Sequence, residues 1–262
     1  MLPAKSSEST AASSPSPSRI RVRIEDGLAT LTLARPPVNV IDGAMMDELL
    51  SGLDGCRSAK VLLLRGDGRC FSAGADVEEH LPGRVEGMLR RFRDVAAALS
   101  DVPIPTVAWL HGAAMGGGLE LALMADLVYA APGTRLGQPE IALGVMAPLA
   151  AAWLPAQIGV RRTHEMLLTG RPVSVEEAHA WGLINGVGDE ESLGKIVRGL
   201  LASSRPALVA TKRAIARGRA DRFRDALPET LEIYLNELMS SRDPVEGLRA
   251  FLEKRAPVFE DR

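Results

Sequence analysis

The 262-residue chain reads as an α/β protein, with a mixed strand-and-helix body over residues 20–190 and a helical C-terminal lobe over residues 191–262. Three observations carry that expectation. Short apolar or alternating runs at 20–33, 60–64 and 106–110 are each followed by a loop and then by helical periodicity. The strand–loop junctions are rich in glycine, as they would be if the loops gathered at one site. Beyond residue 190 the strand signals stop, and helical stretches alternate with Pro206, Pro228 and Pro244.

Residues 1–19, MLPAKSSESTAASSPSPSR, are dominated by Ser, Ala and Pro and lack the apolar stretch of a secretory signal. They carry too little apolar surface to offset their ordering entropy, and a disordered tail is expected. Ile20, Val22 and Ile24 alternate with charged residues, Asp26-Gly27 turns the chain, and Leu28 to Leu33 alternates again, which predicts a β-hairpin. Pro36 and Pro37 interrupt regular structure. Met45, Met46, Leu49, Leu50 and Leu53 recur at helical spacing, and Lys60 to Leu64 reads as a buried strand. GDGRCFSAGADVEEH (66–80) is a loop. Val85, Met88, Leu89, Phe92, Val95, Ala96 and Leu99 mark one face of an amphipathic helix. Thr106 to Leu110 is a buried strand that runs into HGAAMGGGLELALMA. Helices are then expected over 147–157 and 161–169, and Ser174 with Glu177 forms a capping box for another. A short last strand is read at 183–187, and helices follow over 190–204, 206–217, 228–240 and 243–254.

Composition narrows the function. A chain that is 46% hydrophobic with a formal net charge of −2 can bury one sizeable core and offers no electrostatic basis for a nucleic-acid partner. No apolar run approaches the ~18–20 residues that cross a bilayer, so no membrane partner is expected. Cys56 and Cys70 have no metal-ligand spacing; they fit a reduced, cytoplasmic protein without a metal site. His80, His111, His164 and His179 show no pairing and are assigned no role.

The stretch His111 to Glu140 holds the chemistry-bearing residues. Gly116, Gly117 and Gly118 open an apolar helical segment containing Glu120, and Glu140 ends a GQPE turn. Glycine suits a place where a backbone N–H must approach a ligand closely. Two carboxylates in apolar surroundings, one charged and one neutral, suit paired proton transfer. Addition of water to a double bond conjugated with a carbonyl needs both devices: N–H donors for the enolate oxygen, and an acid and a base for the water.

Five segments then resemble the enoyl-CoA hydratase/isomerase (crotonase) superfamily, in the family's order: CFSAGADVEE (70–79), HGAAMGGGLELALMADLVYAAP (111–132), LGQPEIALGV (136–145), LLTGRPVSVEEAHAWGLINGV (167–187) and GLRAFLEKRAPVF (247–259). The resemblance covers essentially everything after residue 19. It implies a crotonase-like spiral of ββα units, a helical trimerisation lobe, and a homo-oligomer that is a trimer or a dimer of trimers. It implies an acyl-CoA thioester as substrate, CoA being part of that substrate rather than a separate cofactor. Carried over, Ala75 and Gly117 are the oxyanion-hole donors and Glu120 and Glu140 the catalytic carboxylates. Ala73, Gly74 and Asp76 hold CoA, and Phe251 and Lys254 reach CoA across a subunit boundary.

One departure bears on the substrate. Many hydratases of this type carry a glycine-rich segment after GQPEI, whereas this chain reads VMAPLAAAWLP (145–155). There it is similar to the cyclohexa-1,5-diene-1-carbonyl-CoA hydratases. Met146, Ala147, Pro148 and Leu149 are therefore expected to shape the acyl pocket, for a cyclic dienoyl group or another chain. The competing expectations are a different crotonase reaction (double-bond isomerase, decarboxylase or thioesterase) and a non-catalytic interaction or RNA-binding scaffold.

Overall fold

The two residues of the Asp26-Gly27 turn both take positive φ, 48° and 81°, as the tightest hairpin turn requires. They join β1 (Ile20–Glu25) to antiparallel β2 (Leu28–Leu33). This opens a computed structural model that describes residues 18–260 and, for 217–225, only the backbone. The expected tail lies outside the described residues except for Ser18 and Arg19. Ser18 Oγ and the Arg19 N–H both donate to Glu48, at 2.6 and 2.8 Å.

β3 (Val61–Gly66), β4 (Thr106–Leu110), β6 (Leu127–Ala130) and β9 (Gly186–Val187) extend the hairpin in parallel, giving a six-stranded sheet in the order β1-β2-β3-β4-β6-β9. The second sheet is small: β5 (Ala113–Met115) pairs in parallel with β7 (Arg135–Gly137), which pairs antiparallel with β8 (Val173–Ser174). β5 follows β4 after two residues, and β7 follows β6 after a short turn. The chain thus passes from the large sheet to the small one on successive turns, which is the expected spiral.

Both faces of the large sheet are covered, and its central strands are correspondingly apolar over most of their length. Leu62, Leu64, Ala108 and Leu110 face the main core with Met45, Met46, Leu49 and Leu53 of α1 (Gly43–Cys56) and the buried stripe of α2 (Val85–Ser100). Val61, Leu63, Val107 and Trp109 face the other way, against Leu193 and Val197 of α7 (Glu190–Ala202). β1 is the edge strand, so Val22 and Ile24 stay exposed, Val22 beside Gly52 of α1. The remaining helices are α3 (Gly117–Leu123), α4 (Pro148–Ile158), α5 (Val160–Thr169), α6 (Val175–Trp181), α8 (Arg205–Glu232) and α9 (Asp243–Leu252). Among the described residues no helix is long and apolar enough to cross a membrane.

Three local expectations are corrected. Pro228 does not separate two helices: α8 runs through it to Glu232, and the irregularity falls later, in a π turn over Ile233–Glu237. One missing amide donor is a local cost that a helix packed on α4 can carry. The last strand is confined to Gly186–Val187, because Leu183 and Ile184 are buried core residues of the preceding turn. The capping box is half formed. Ser174 accepts from the Glu177 N–H at 3.2 Å, while the Glu177 carboxylate pairs with Arg171 instead of reaching back. Pro206 and Pro244 sit in the first turns of α8 and α9, where the lost N–H has no helical partner to miss.

Candidate active site

Residues 72–76 and 115–117 come from different turns of the spiral, yet run side by side. Ser72 N–H donates to Ala113 O at 3.2 Å, and Met115 N–H donates to Ser72 O at 3.1 Å. On the other side, Ile41 N–H bonds Gly74 O and Asp76 N–H bonds Ile41 O, both at 2.9 Å. This leaves the Ala75 N–H with no acceptor in that ladder. Gly117 is the first residue of α3, so its N–H has no intrahelical partner either. Both residues line one cavity of about 430 Å³. Two free N–H groups converging on one cavity form a site for an oxygen that gains negative charge.

The glycines that bring this about have separate reasons. Gly116 has φ +50° and ψ −131°, and a Cβ there would lie 2.4 Å from Glu140 Oε1. Gly118 packs on Ser72, whose Cβ would stand 2.5 Å from an added methyl. Ser72 is itself buried, its Oγ donating to Asn39 O at 2.8 Å and accepting from the Gly74 N–H at 3.1 Å. Asn39, also fully buried, ties the rest of the loop. Its Nδ2 donates to the carbonyls of Asp67, Cys70 and Phe71 at 2.7, 3.0 and 3.0 Å, and its Oδ1 accepts from Arg35 N–H at 3.0 Å. Neither Asn39 nor Ser72 is singled out by the sequence reading. The one signal for Asn39 is its place directly after Pro36-Pro37-Val38 in an otherwise apolar segment.

Glu120 is 4% exposed, in the first turns of α3. Its Oε1 accepts from the Ala150 N–H at 2.8 Å, in the first turn of α4, a helix whose own N-cap residue, Ala147, supplies no side-chain bond. A buried carboxylate from one helix therefore caps the next. Glu140 follows β7, and the β5–β7 pairing sets it beside Gly116, whose N–H donates to Gly137 O at 2.8 Å. With the Gln138 amide oriented to donate, its nitrogen lies 3.3 and 3.2 Å from the two Glu140 oxygens. Burial raises the pKa of Glu120 to about 7, partly opposed by the N–H groups of Ala150 and Leu149. Burial, and then the charge of Glu120, raises that of Glu140 to about 8. Because the two groups interact, they titrate as a pair. Tyr234, on the π turn, is fully buried; its hydroxyl has no partner among the described residues, and burial with the charges of Glu140 and Glu120 holds it well above the usual phenol range.

The cavity brings together most of the residues expected from sequence: Ala73, Gly74, Ala75, Gly117, Glu120, Glu140, Met146, Ala147, Pro148 and Phe251 all line it. Three others do not. Leu149 is fully buried in the core behind the wall. Asp76 turns its carboxylate to the Glu78 N–H at 3.0 Å, capping the 3₁₀ turn Val77–His80. Lys254 is exposed, and Arg255, paired with Glu246 and Glu253, reaches the cavity rim in its place. Phe251 and Arg255 line the cavity of their own chain. Val77, His80, Met88, Leu89 and Phe92 complete the lining and were not expected there.

The enoyl-CoA hydratase/isomerase family profile matches residues 23–262. The cyclohexa-1,5-dienecarbonyl-CoA hydratase of Thauera aromatica is 36% identical over 250 residues, covering 91% of this chain and 95% of that protein. A probable enoyl-CoA hydratase of Bacillus subtilis is 32% identical over 249 residues, covering 90% and 96%. Among solved structures, an enoyl-CoA hydratase from Mycobacterium avium subsp. paratuberculosis superposes with a TM-score of 0.84 at 28% identity, covering 93% of this chain and 99% of that one.

Proposed function

This chain belongs to the enoyl-CoA hydratase/isomerase family, and from that premise we propose that it adds water to the double bond of an α,β-unsaturated acyl-CoA thioester, or removes it in reverse. The observation that carries the reading is the meeting, in one cavity, of two backbone N–H groups left unpaired among the described residues with two carboxylates, Glu120 buried and Glu140 half-buried. The thioester oxygen accepts from Ala75 N–H and Gly117 N–H. As water attacks the β-carbon, the electron pair of the double bond moves toward that oxygen, and the two donors stabilise the enolate. One carboxylate removes the proton from the attacking water, and the other, protonated, delivers a proton to the α-carbon. The N-terminus of α4 favours charge on Glu120, which makes Glu120 the base and Glu140 the acid at rest.

The preferred acyl group is a cyclic conjugated dienoyl. The support is the Thauera aromatica relative together with the glycine-poor wall Met146–Pro148. A trimer or dimer of trimers is the proposed assembly, supported by the exposed apolar side chains of Val160, Leu168, Val258 and Phe259. A cytoplasmic location is supported by two buried free thiols, Cys56 and Cys70.

A panel of crotonyl, methyl-branched and cyclic dienoyl thioesters of CoA tests the reading. Loss of the conjugated-thioester absorbance is expected, fastest with the ring. Turnover of crotonyl-CoA without the cyclic substrate overturns the ring assignment, and turnover of none overturns the hydratase.

A further inference from the structure

The cavity lining holds a polar group that the hydration chemistry does not use. His80 ends the 3₁₀ turn Val77–His80 and lines the cavity among Val77, Met88, Leu89 and Phe92. Its Nδ1 lies 2.9 Å from Asp76 O. A carbonyl oxygen only accepts, so Nδ1 carries the proton, and in the neutral ring Nε2 is a bare acceptor. Burial lowers the pKa of the imidazole, which keeps the ring neutral near neutral pH. Nε2 has no hydrogen-bond partner among the described residues, although the tautomer is fixed and the ring is held.

His80 is half-buried, and an acceptor open to a mostly apolar cavity gains when a ligand donor replaces the water that otherwise pairs with it. The thioester carbonyl goes to the Ala75 and Gly117 N–H groups, and the reacting water to the two glutamates. What remains near His80 is the part of the acyl group beyond the reacting carbons. We propose that His80 Nε2 is a specificity-determining acceptor for a hydroxyl on the acyl group, so that between two acyl-CoA thioesters of one carbon skeleton the protein binds the hydroxyl-bearing one more tightly. The inference rests on the hydratase reading only for the thioester itself, and it is compatible with a ring or an open chain that carries the hydroxyl.

Binding of unreactive ligands tests it apart from turnover. Saturated acyl-CoA thioesters of four to six acyl carbons, and their analogues with a terminal hydroxyl, are titrated calorimetrically into the full-length protein and into His80→Leu and His80→Gln. In the native protein at least one hydroxylated analogue is expected to bind about fivefold to tenfold more tightly than its parent, the range of one neutral hydrogen bond. The ratio should fall to about one in His80→Leu and be partly restored in His80→Gln, whose amide oxygen is also an acceptor. Thermal unfolding identifies a variant that has simply lost its fold, in which case the native protein and His80→Gln decide. No preference in the native protein, or a preference that survives in His80→Leu, overturns the proposal. Crotonyl-CoA turnover, measured alongside, reports separately on the hydratase.

Discussion

Replacing Glu120 by Gln should stabilise the protein, and increasingly so as the pH rises. The carboxyl is 4% exposed, and burial lifts its pKa from the ordinary 4.5 to about 7. The folded state therefore holds a proton that the unfolded state has released between these values. Where the folded state binds more protons, stability falls with rising pH. The contribution is full below about pH 4.5 and is lost as the pH passes through about 7. At ~1.36 kcal/mol per pH unit, the difference grows to about 3 kcal/mol on the alkaline side. Gln mimics the protonated group, and its oxygen can still accept from the Ala150 N–H, so the cap on α4 survives. The assay is urea unfolding of native protein and Glu120→Gln at pH 5 and pH 8.5. Taking the difference between the two proteins removes every titrating group except Glu140 and Tyr234, which the charge of Glu120 also raises and the variant relieves in the same direction. The gap should widen in favour of the variant by about 2–3 kcal/mol between these pH values. A gap that stays constant, or widens in favour of the native protein, would refute burial as the cause of the raised pKa.

Gly116→Ala places a methyl 2.4 Å from Glu140 Oε1 at a φ of +50°, so Glu140 must swing away and the backbone is strained. Turnover of an enoyl-CoA substrate should drop by at least ~10², with a stability loss of about 1–3 kcal/mol in urea titration. Asn39→Ala removes the donor shared by the Asp67, Cys70 and Phe71 carbonyls, at a position with φ 51°. It should cost about 2–4 kcal/mol of stability. It should also lower kcat/KM, because the loop that aims the Ala75 N–H hangs on that side chain; a kcat/KM equal to the native value would show the loop to be held by other contacts.

The elements with strict periodicity were legible in the sequence because one physical cause fixes them. The buried stripe from Val85 to Leu99 and the strand Thr106–Leu110 match their expected positions. Ala75, Gly117, Glu120 and Glu140, singled out through the family resemblance, all line one cavity. Pro228 was misread because a proline's effect depends on what the helix packs against, which a local pattern does not contain. Lys254 and Arg255 are adjacent and both basic, and only the turn after α9, with Lys254 at φ 55°, decides which faces the cavity. Asn39 and His80 act through backbone partners and a wall assembled from distant segments, so neither carries a local pattern.

The central claim is that Glu120 and Glu140 act together on one water molecule. Hydration of an accepted enoyl-CoA should be followed, by loss of its conjugated-thioester absorbance, in the native protein, Glu120→Gln, Glu140→Gln and the double variant. Each single substitution should lower turnover by at least ~10². The double variant should lose little more than the worse single one, since residues that act as a unit are not additive. Native turnover in both single variants would contradict the account.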